Sequence, residues 1–439
     1  MTAQRHVLIG AGPAAIAAAQ AIRAADDTAE IVLVTSDAHG YYSRPGLAYY
    51  LAAELPLGRL FPFTRRDFTR LRVTLVRDEV MMIDRAGRYV ALRSGGALPY
   101  DRLLIATGSH AVPAKVPGAG LDGVVKLDDM DDARDIVRRC RRAKAAVVVG
   151  GGITALEIVE GLRARGVAVD YLMRQDRYWR NVLSESESRL VEESLQREGV
   201  HVHHFTELAG ITGRNGRVAA VETAAGTTLP CDLVAVAIGV RPRTSLAEAA
   251  GLECGRGILV NEHMRTSDEH IYAAGDVAEI FDEATDRRVM EVLWNSAVAE
   301  GRAAGVNMAN GAVHSYETDV PLNITRLAGH KTTIIGRVGN GEDKDLEALS
   351  RGDSQTWSEL GPAALVETRT RNARVRIELG ERHILGAVVM GDQALSHPLQ
   401  DLVGARADVS AIAPSLRQRE AEVADIVSAF WQDWVARRD

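Results

Sequence analysis

Gly10-Ala11-Gly12-Pro13-Ala14-Ala15 and Gly150-Gly151-Gly152-Ile153-Thr154-Ala155 are two copies of one pattern, G-x-G-x-x-A. The chemistry open to such a run is the binding of a diphosphate. Gly10 and Gly150 permit a tight turn. Gly12 and Gly152 let the backbone approach the phosphates, and Ala15 and Ala155 keep the following helix close to its strand. The N–H groups left free at the helix mouth, at the positive end of its dipole, then face the anion. A lone G-x-G-x-x-A is a weak signal and gains meaning only between a strand and a helix. Both copies have that context, after Val7-Leu8-Ile9 and after Ala145-Ala146-Val147-Val148-Val149.

The residues that end the next strand should tell the two sites apart. After the first turn the strand closes as Val34-Thr35-Ser36-Asp37, and Asp37 can accept a hydrogen bond from a ribose hydroxyl. After the second it closes as Val169-Asp170-Tyr171-Leu172-Met173 and continues into Arg174, Arg177 and Arg180. A guanidinium fork suits a 2′-phosphate, so Arg174 and Arg180 favour NADPH, with NADH as the alternative. Two dinucleotide sites in one chain suggest one tightly held nucleotide and one that exchanges. A flavin with a nicotinamide is the economical pairing.

The elements that must position these groups are legible from pattern. Val7 to Ile9, residues 14–25 and Ile31 to Val34 read as a β-α-β unit, and residues 145–173 as a second. The repeat is a duplicated domain rather than a short-period solenoid. Residues 43–55 read as helical, Val73 to Ile83 and Tyr89 to Leu92 as antiparallel strands, and residues 109–120, with Pro113, Pro117, Gly118 and Gly120, as a linker. Leu103 to Ile105 reads as a buried strand, Leu233 to Gly239 and Ile271 to Asp276 as strands, the last ending in Gly-Asp, residues 184–198 and 292–309 as helices, and the chain after Pro321 as strand-rich with a terminal helix. The expected organisation is α/β: a first dinucleotide domain over residues 1–112 and 240–320, a second over 113–239, and a C-terminal α+β domain over 321–439.

Composition excludes other classes. The net charge of −7 leaves no basic footprint for nucleic acid. Cys140, Cys231 and Cys254 form no C-x-x-C pair, which argues against a disulfide framework or a metal cluster and for a reducing, cytoplasmic home. Only Arg5 and His6 precede the apolar run Val7 to Ile22, and Gly10, Gly12 and Pro13 break it, so a signal peptide is not expected. No run of about 18 apolar residues calls for a membrane span.

In family order, the motifs resemble the FAD-dependent pyridine nucleotide–disulfide oxidoreductase superfamily. They resemble most its branch without a redox disulfide, with rubredoxin and ferredoxin reductases and nitrite reductase flavoproteins. The resemblance covers residues 5–310. It implies a glutathione-reductase-like pair of Rossmann domains. Tyr42-Ser43-Arg44-Pro45-Gly46-Leu47 is similar to the turn beside the flavin, with Arg44 as the phosphate contact and Pro45 next to it. Val80 sits where a backbone contact to adenine is expected. Ala106-Thr107-Gly108 and Ala237-Ile238-Gly239 resemble the strand ends that close the two nucleotide sites. Ala273-Ala274-Gly275-Asp276 resembles the motif whose Asp holds a ribityl hydroxyl, and Trp294 borders the flavin ring. Glu157 is implied to reach toward the flavin–nicotinamide contact.

The resemblance further implies FAD and NADPH as cofactors and an external redox protein, an iron–sulfur protein such as a ferredoxin or rubredoxin, or a companion subunit, as the acceptor. Alternatives are a small acceptor (oxygen, a quinone or a radical) and a flavin-binding sensor with little turnover. In relatives the C-terminal domain makes a homodimer interface or covers the flavin. Two departures matter. The segment Gly40 to Leu47 has no cysteine, which disfavours disulfide chemistry. Tyr49 stands where iron–sulfur-protein reductases carry a Lys, so it can hydrogen-bond Glu157 but brings no charge. His397-Pro398 reads as structural, and Phe430, Trp431 and Trp434 as core packing rather than a docking face.

Overall fold

The structure is a computed structural model that describes residues 3–282, 286–317, 320–339, 351–352, 354–355, 363–369, 373–418 and 422–438. Strands with nothing but apolar residues at their centres must be covered on both faces, which is the situation of a parallel sheet. Two such sheets form. The first is five-stranded, in the order Ile271–Ala273, Arg102–Ile105, Arg5–Ile9, Glu30–Thr35, Val73–Arg77, with every pair parallel. The second repeats the arrangement with Val200–His203, Ala168–Leu172, Ala145–Val149, Leu233–Val236 and Val124–Val125.

Each glycine turn opens a helix, Pro13–Ala25 in the first unit and Ile153–Ala164 in the second. The first helix packs on Trp294–Asn310 with almost no space between backbones. A Cβ at Gly301 would lie 2.1 Å from the Ala14 carbonyl oxygen, and one at Gly305 would lie 2.5 Å from that of Ala18.

Several expectations change. Val73–Arg77 joins the parallel sheet beside Glu30–Thr35, and only Val80–Asp84 pairs antiparallel with Tyr89–Leu92. Alternation and flanking glycines do not distinguish an edge strand of one sheet from the first strand of the next. The helix expected over residues 43–55 is confined to Gly46–Leu51, because Ala53 takes a left-handed conformation (φ 62°). The expected linker contains a strand, Ser109–Ala111, paired antiparallel with Val240–Pro242. These are the two places where the chain passes between the parallel sheets. Met130–Cys140, a helix that polar-rich sequence concealed, is capped by Asp129, whose side chain accepts the Asp132 N–H.

After residue 321 a five-stranded antiparallel sheet runs in the order Leu322–Leu327, His330–Gly336, Ile384–Gly391, Ala373–Leu379, Ala364–Arg369. Neighbouring residues point to opposite faces. Ile335 and Val389 pack toward the helices Ser396–Gly404 and Val423–Ala436, whereas Ile334 and Val388 join the core of the second unit. Trp431 packs inward and donates from Nε1 to Asp401 (2.8 Å), while His397 stacks edge-on against it with its side chain largely exposed.

Two buried polar clusters fasten these units. Arg376 donates from Nε to both Glu187 oxygens (3.1 and 3.2 Å), from Nη1 to Glu378 (2.5 Å) and the Val338 carbonyl (2.5 Å), and from Nη2 to the Val182 carbonyl (2.6 Å). Asp128, 4% exposed, accepts from Arg243 Nη2 (3.1 Å) and the Ala111 N–H (3.2 Å), and pairs with Arg351 and Lys126. Its own carbonyl accepts from Arg44 and Arg351. Burial opposes ionisation of Asp128, but Arg351, Lys126 and Arg243 outweigh it and hold the carboxyl at about 2.

Arg376→Leu should lower unfolding stability by about 3–5 kcal/mol, since Glu187 and Glu378 would be left buried and uncompensated. A triple replacement of Arg376, Glu187 and Glu378 by apolar residues should cost far less, and urea denaturation of both variants checks the difference. Asp128 has a folded-state value below that of the unfolded chain. Its contribution is therefore complete above about pH 4 and is lost as pH falls through about 2. Asp128→Asn should cost about 2 kcal/mol at pH 7. Its deficit relative to the unsubstituted chain should hold between pH 6 and about pH 4 and narrow only when denaturation is carried on from about pH 4 down to about pH 2.

Candidate active site

A single cleft of about 1200 Å³ runs from the first glycine turn, past both chain crossings, to the helix of the second turn. At its origin Gly10 (φ 118°) lies so near the end of Arg102–Ile105 that a Cβ would sit 2.1 Å from the Ala106 carbonyl oxygen. Gly12 caps the helix Pro13–Ala25 and lines the cleft, yet a Cβ there would meet no protein atom within 4 Å. The protein does not need that space, but a diphosphate on the helix mouth does. Ala15 is fully buried beneath the turn.

Asp37 ends the neighbouring strand on the cleft wall. Its Oδ1 accepts the His39 N–H (2.8 Å), and its other oxygen lies 3.8 Å from Arg44. Arg44 is only partly available to a phosphate. It lies 5.4 Å from the Tyr42 ring centroid and donates from Nη1 to the Asp128 carbonyl (2.7 Å). Val80 lines the same end of the cleft, and Pro45 lines it at the start of Gly46–Leu51. Thr107 donates from its hydroxyl to the Arg243 carbonyl (3.1 Å), and Gly108 has φ 67°. Asp276 accepts from the Ser109 hydroxyl (2.6 Å) and faces the cleft beside Gly275 (φ 79°).

Sequence reasoning missed Glu300, Glu160, Arg326 and Arg351. Glu300, 1% exposed, accepts the Gly275 N–H (2.6 Å). Burial pushes its carboxyl well above the ordinary range, and the hydrogen bond braces the Gly275-Asp276 turn. An acid beside Gly301 in an Ala-rich helix was the available signal. Glu160 stands three residues after Glu157 on the same helix, and that spacing was its signal, whereas Arg326 and Arg351 lie far away in sequence and nothing local marks them.

At the far end of the cleft stand Trp294, 46% exposed, with Tyr49, Glu157, Glu160, Arg326 and Arg351. Among the described residues no hydrogen bond joins Tyr49 to Glu157. Arg326 lies over the Tyr49 ring instead, 5.8 Å from its centroid. Burial, then Glu160, pushes Glu157 up to about 8 against the opposing charge of Arg351. Burial pushes Glu160 up to about 7, with Arg326 opposing.

The second turn has the same backbone logic. A Cβ at Gly150 (φ 147°) would lie 2.1 Å from the Ala237 carbonyl oxygen. Gly152 caps its helix, Ala155 is fully buried, and Gly239 (φ 120°) lies with Thr154 and Ala237 around a small depression. Arg174 is exposed just past Ala168–Leu172. Beyond it, Asp176 pairs with Arg177 at 2.8 Å and lies 3.6 Å from Arg180.

The open lane over Gly12, the amides of the helix mouth and the acceptors Asp37 and Asp276 fit an adenine dinucleotide carrying a ring at its far end. No cysteine lines the cleft, and among the described residues no cluster of three or more His, Cys, Asp or Glu could hold a metal. None of the described helices is long and apolar enough to cross a membrane.

Residues 4–301 match the family model of the pyridine nucleotide-disulphide oxidoreductases. The chain is 34% identical to the biphenyl dioxygenase system ferredoxin–NAD(+) reductase component of Paraburkholderia xenovorans, over 80% of this chain and 84% of that one. It is 31% identical to an NADH oxidase of Methanocaldococcus jannaschii over 71% of each. Its fold superposes with a TM-score of 0.85 on the ferredoxin reductase for the CYP199A2 system from Rhodopseudomonas palustris, at 25% identity over 97% of this chain and 99% of that one. Two parallel-sheet units joined by one cleft, together with these matches, establish that the chain belongs to the pyridine nucleotide-disulphide oxidoreductase family and is an FAD-dependent NAD(P)H oxidoreductase.

Proposed function

We propose that this chain carries electrons from a nicotinamide nucleotide, through FAD in the cleft, to an external iron–sulfur protein of the ferredoxin or rubredoxin class. The observation that carries the reading is the continuity of the cleft. Gly10, Gly12, Asp37 and Val80 line one end, while Glu157, from the helix of the second glycine turn, lines the other. A dinucleotide laid on the first turn therefore ends where one laid on the second can meet it.

In this reading residues 1–112 and 240–320 hold FAD, residues 113–239 hold the nicotinamide nucleotide, and residues 321–439 cover the ring end. Gly12 and the helix mouth take the diphosphate, with Arg44 beside them. Asp37 takes the ribose and Asp276 a ribityl hydroxyl, with Pro45, Thr107, Gly108 and Gly275 as walls. Trp294, Tyr49 and Glu157 border the ring and exclude water. When bound, the flavin supplies the exchange between two-electron and one-electron chemistry. The residues contribute mainly orientation, which is what hydride transfer requires. The absence of a thiol from the cleft wall supports an acceptor outside the chain. Three cysteines, all free, support a cytoplasmic location.

Arg174 supports NADPH as donor. Asp176, at the same strand end, supports NADH, because a carboxylate can accept from a ribose hydroxyl where Arg180 is already drawn toward it. Anaerobic titration of the purified yellow protein decides between them. Bleaching of the flavin band should be faster with NADPH, and equal rates would remove the argument from Arg174. Bleaching with neither nucleotide would overturn the reductase reading, and fast aerobic turnover without a protein acceptor would favour an oxidase. Arg174→Ala should weaken NADPH by about 1.5–3 kcal/mol through the loss of a charged hydrogen bond, with little effect on NADH. Stopped-flow reduction at varied nucleotide concentration measures both.

A further inference from the structure

The ring end of the cleft is built by three separate parts of the chain. Tyr49 and Glu54 come from the helix Gly46–Leu51 and the turn after it. Glu157 and Glu160 come from Ile153–Ala164, and Arg326 from Leu322–Leu327 of the C-terminal sheet. Spacing of three puts Glu157 and Glu160 on one face of their helix, and both line the cleft. Arg326 is held in place from two sides. Its Nη1 donates to Glu54 Oε2 (3.0 Å), its Nη2 pairs with the other Glu54 oxygen, and its guanidinium lies over Tyr49. Glu54 is fixed in turn by its N–H, which donates to the Tyr49 carbonyl (2.9 Å).

We propose that Arg326 is a positioning residue that sets the charge of the Glu157–Glu160 pair, so that the two carboxyls share one proton at the end of the cleft where the nicotinamide and flavin meet. The role at that meeting point rests on the function proposed above. The effect on the pair does not.

Two like charges this close on one helix resist being ionised together. The cation selects which of them carries the charge. Arg326 lines the same cleft as Glu160 and its charge opposes the effect of burial there, while Glu157 shares the cleft with Glu160, which pushes it up, and with Arg351, which pulls it down. The other groups around Glu160 are the carboxylates of Glu54 and Glu198, which push it up, and the Gly329 N–H, which pulls it down. His330, from the same sheet, is turned to the Ser194 hydroxyl (3.0 Å). Glu160 thus ionises first and keeps Glu157 protonated near neutral pH, with values of about 7 and 8 belonging to the pair rather than to either residue alone.

The test is an infrared pH titration of the carboxyl C=O stretch in the flavin-loaded chain, with flavin occupancy read from its visible absorbance. The stretch is assigned by Glu157→Gln and Glu160→Gln. Arg326→Gln should raise the lower of the two steps by about one pH unit. Arg326→Lys should leave it near its original position. Adding Tyr49→Lys to Arg326→Gln should bring it back down, an outcome that a purely structural role for Arg326 does not produce. If Arg326→Gln does not fold, Glu160→Gln in the otherwise intact chain serves. The single remaining step should fall below the upper step of the parent, because an ionised Glu160 no longer raises it. Unchanged steps in Arg326→Gln at full flavin occupancy, or an unmoved step in Glu160→Gln, would overturn the inference. A colourless protein in which the steps still move as stated would refute the flavin reading alone and support this one.

Discussion

The close approach of a strand-end carbonyl to a glycine with no side chain is the constraint on which the rest of the molecule depends. It occurs twice with the same geometry, Ala106 against Gly10 and Ala237 against Gly150, each 2.1 Å from where a Cβ would stand. Both glycines also hold a positive φ that an L side chain rarely adopts. The contact fixes the strand end, the turn and the helix mouth as one piece. The backbone donors at the helix mouth are thereby held in place by the protein itself. Gly301 and Gly305 apply the same principle to helices, bringing Trp294–Asn310 against the carbonyls of Ala14 and Ala18. That contact places Glu300 behind Gly275, and so ties the packing of two helices to the turn that presents Asp276.

Polar clusters, rather than apolar burial alone, settle how the units sit together. Asp128 gathers Arg243 and the Ala111 N–H from the two crossing strands and their flanks, Lys126 from the second unit and Arg351 from beyond residue 321. Arg376 performs the corresponding task between the C-terminal sheet and the capping turn before Glu185–Arg197, where Glu187 already closes a capping box with Ser184. Ion groups of this kind add little net stability when compared with apolar replacements. What they supply here is a defined relative placement, since each guanidinium meets its carboxylate and carbonyl partners in one arrangement only. The C-terminal sheet shares its core with the second unit through Ile334 and Val388. Its first strand also lines the cleft through Leu322 to Arg326. That stretch of the cleft wall is therefore carried by a sheet that packs with the second unit.

Charge within the cleft follows from that placement. Asp276, Asp37 and Glu157 come from different strands and helices, and their surroundings differ accordingly. Asp276 is satisfied by the Ser109 hydroxyl and Asp37 by a backbone amide and Arg44. Glu157 has burial and a second carboxyl against it. The same functional group thus meets a hydroxyl, an amide and a guanidinium at two points of the cleft and burial with a second carboxyl at a third.

Sequence alone determined the features that are local. The two glycine turns, the strand before each and the helix after it follow from spacing and hydrophobic run length, so Gly10, Gly12, Ala15, Gly150, Gly152 and Ala155 were legible without coordinates. The absence of cysteine near Arg44 was equally plain and argued against disulfide chemistry. Strand partnership was not legible. Val73–Arg77 and Val80–Asp84 read as one kind of segment, and only the competition for the open edge of Glu30–Thr35 sent them to different sheets. Arginine roles were not legible either. Arg44, Arg174 and Arg180 read as phosphate ligands by position or resemblance. What the sequence did not show is that a carbonyl takes part of Arg44 and a carboxylate lies 3.6 Å from Arg180. Tertiary structure alone decided that Arg326 stands over Tyr49, pairs with Glu54 and lines one cleft with Glu160. A charge acts across space, whereas a motif records only distance along the chain.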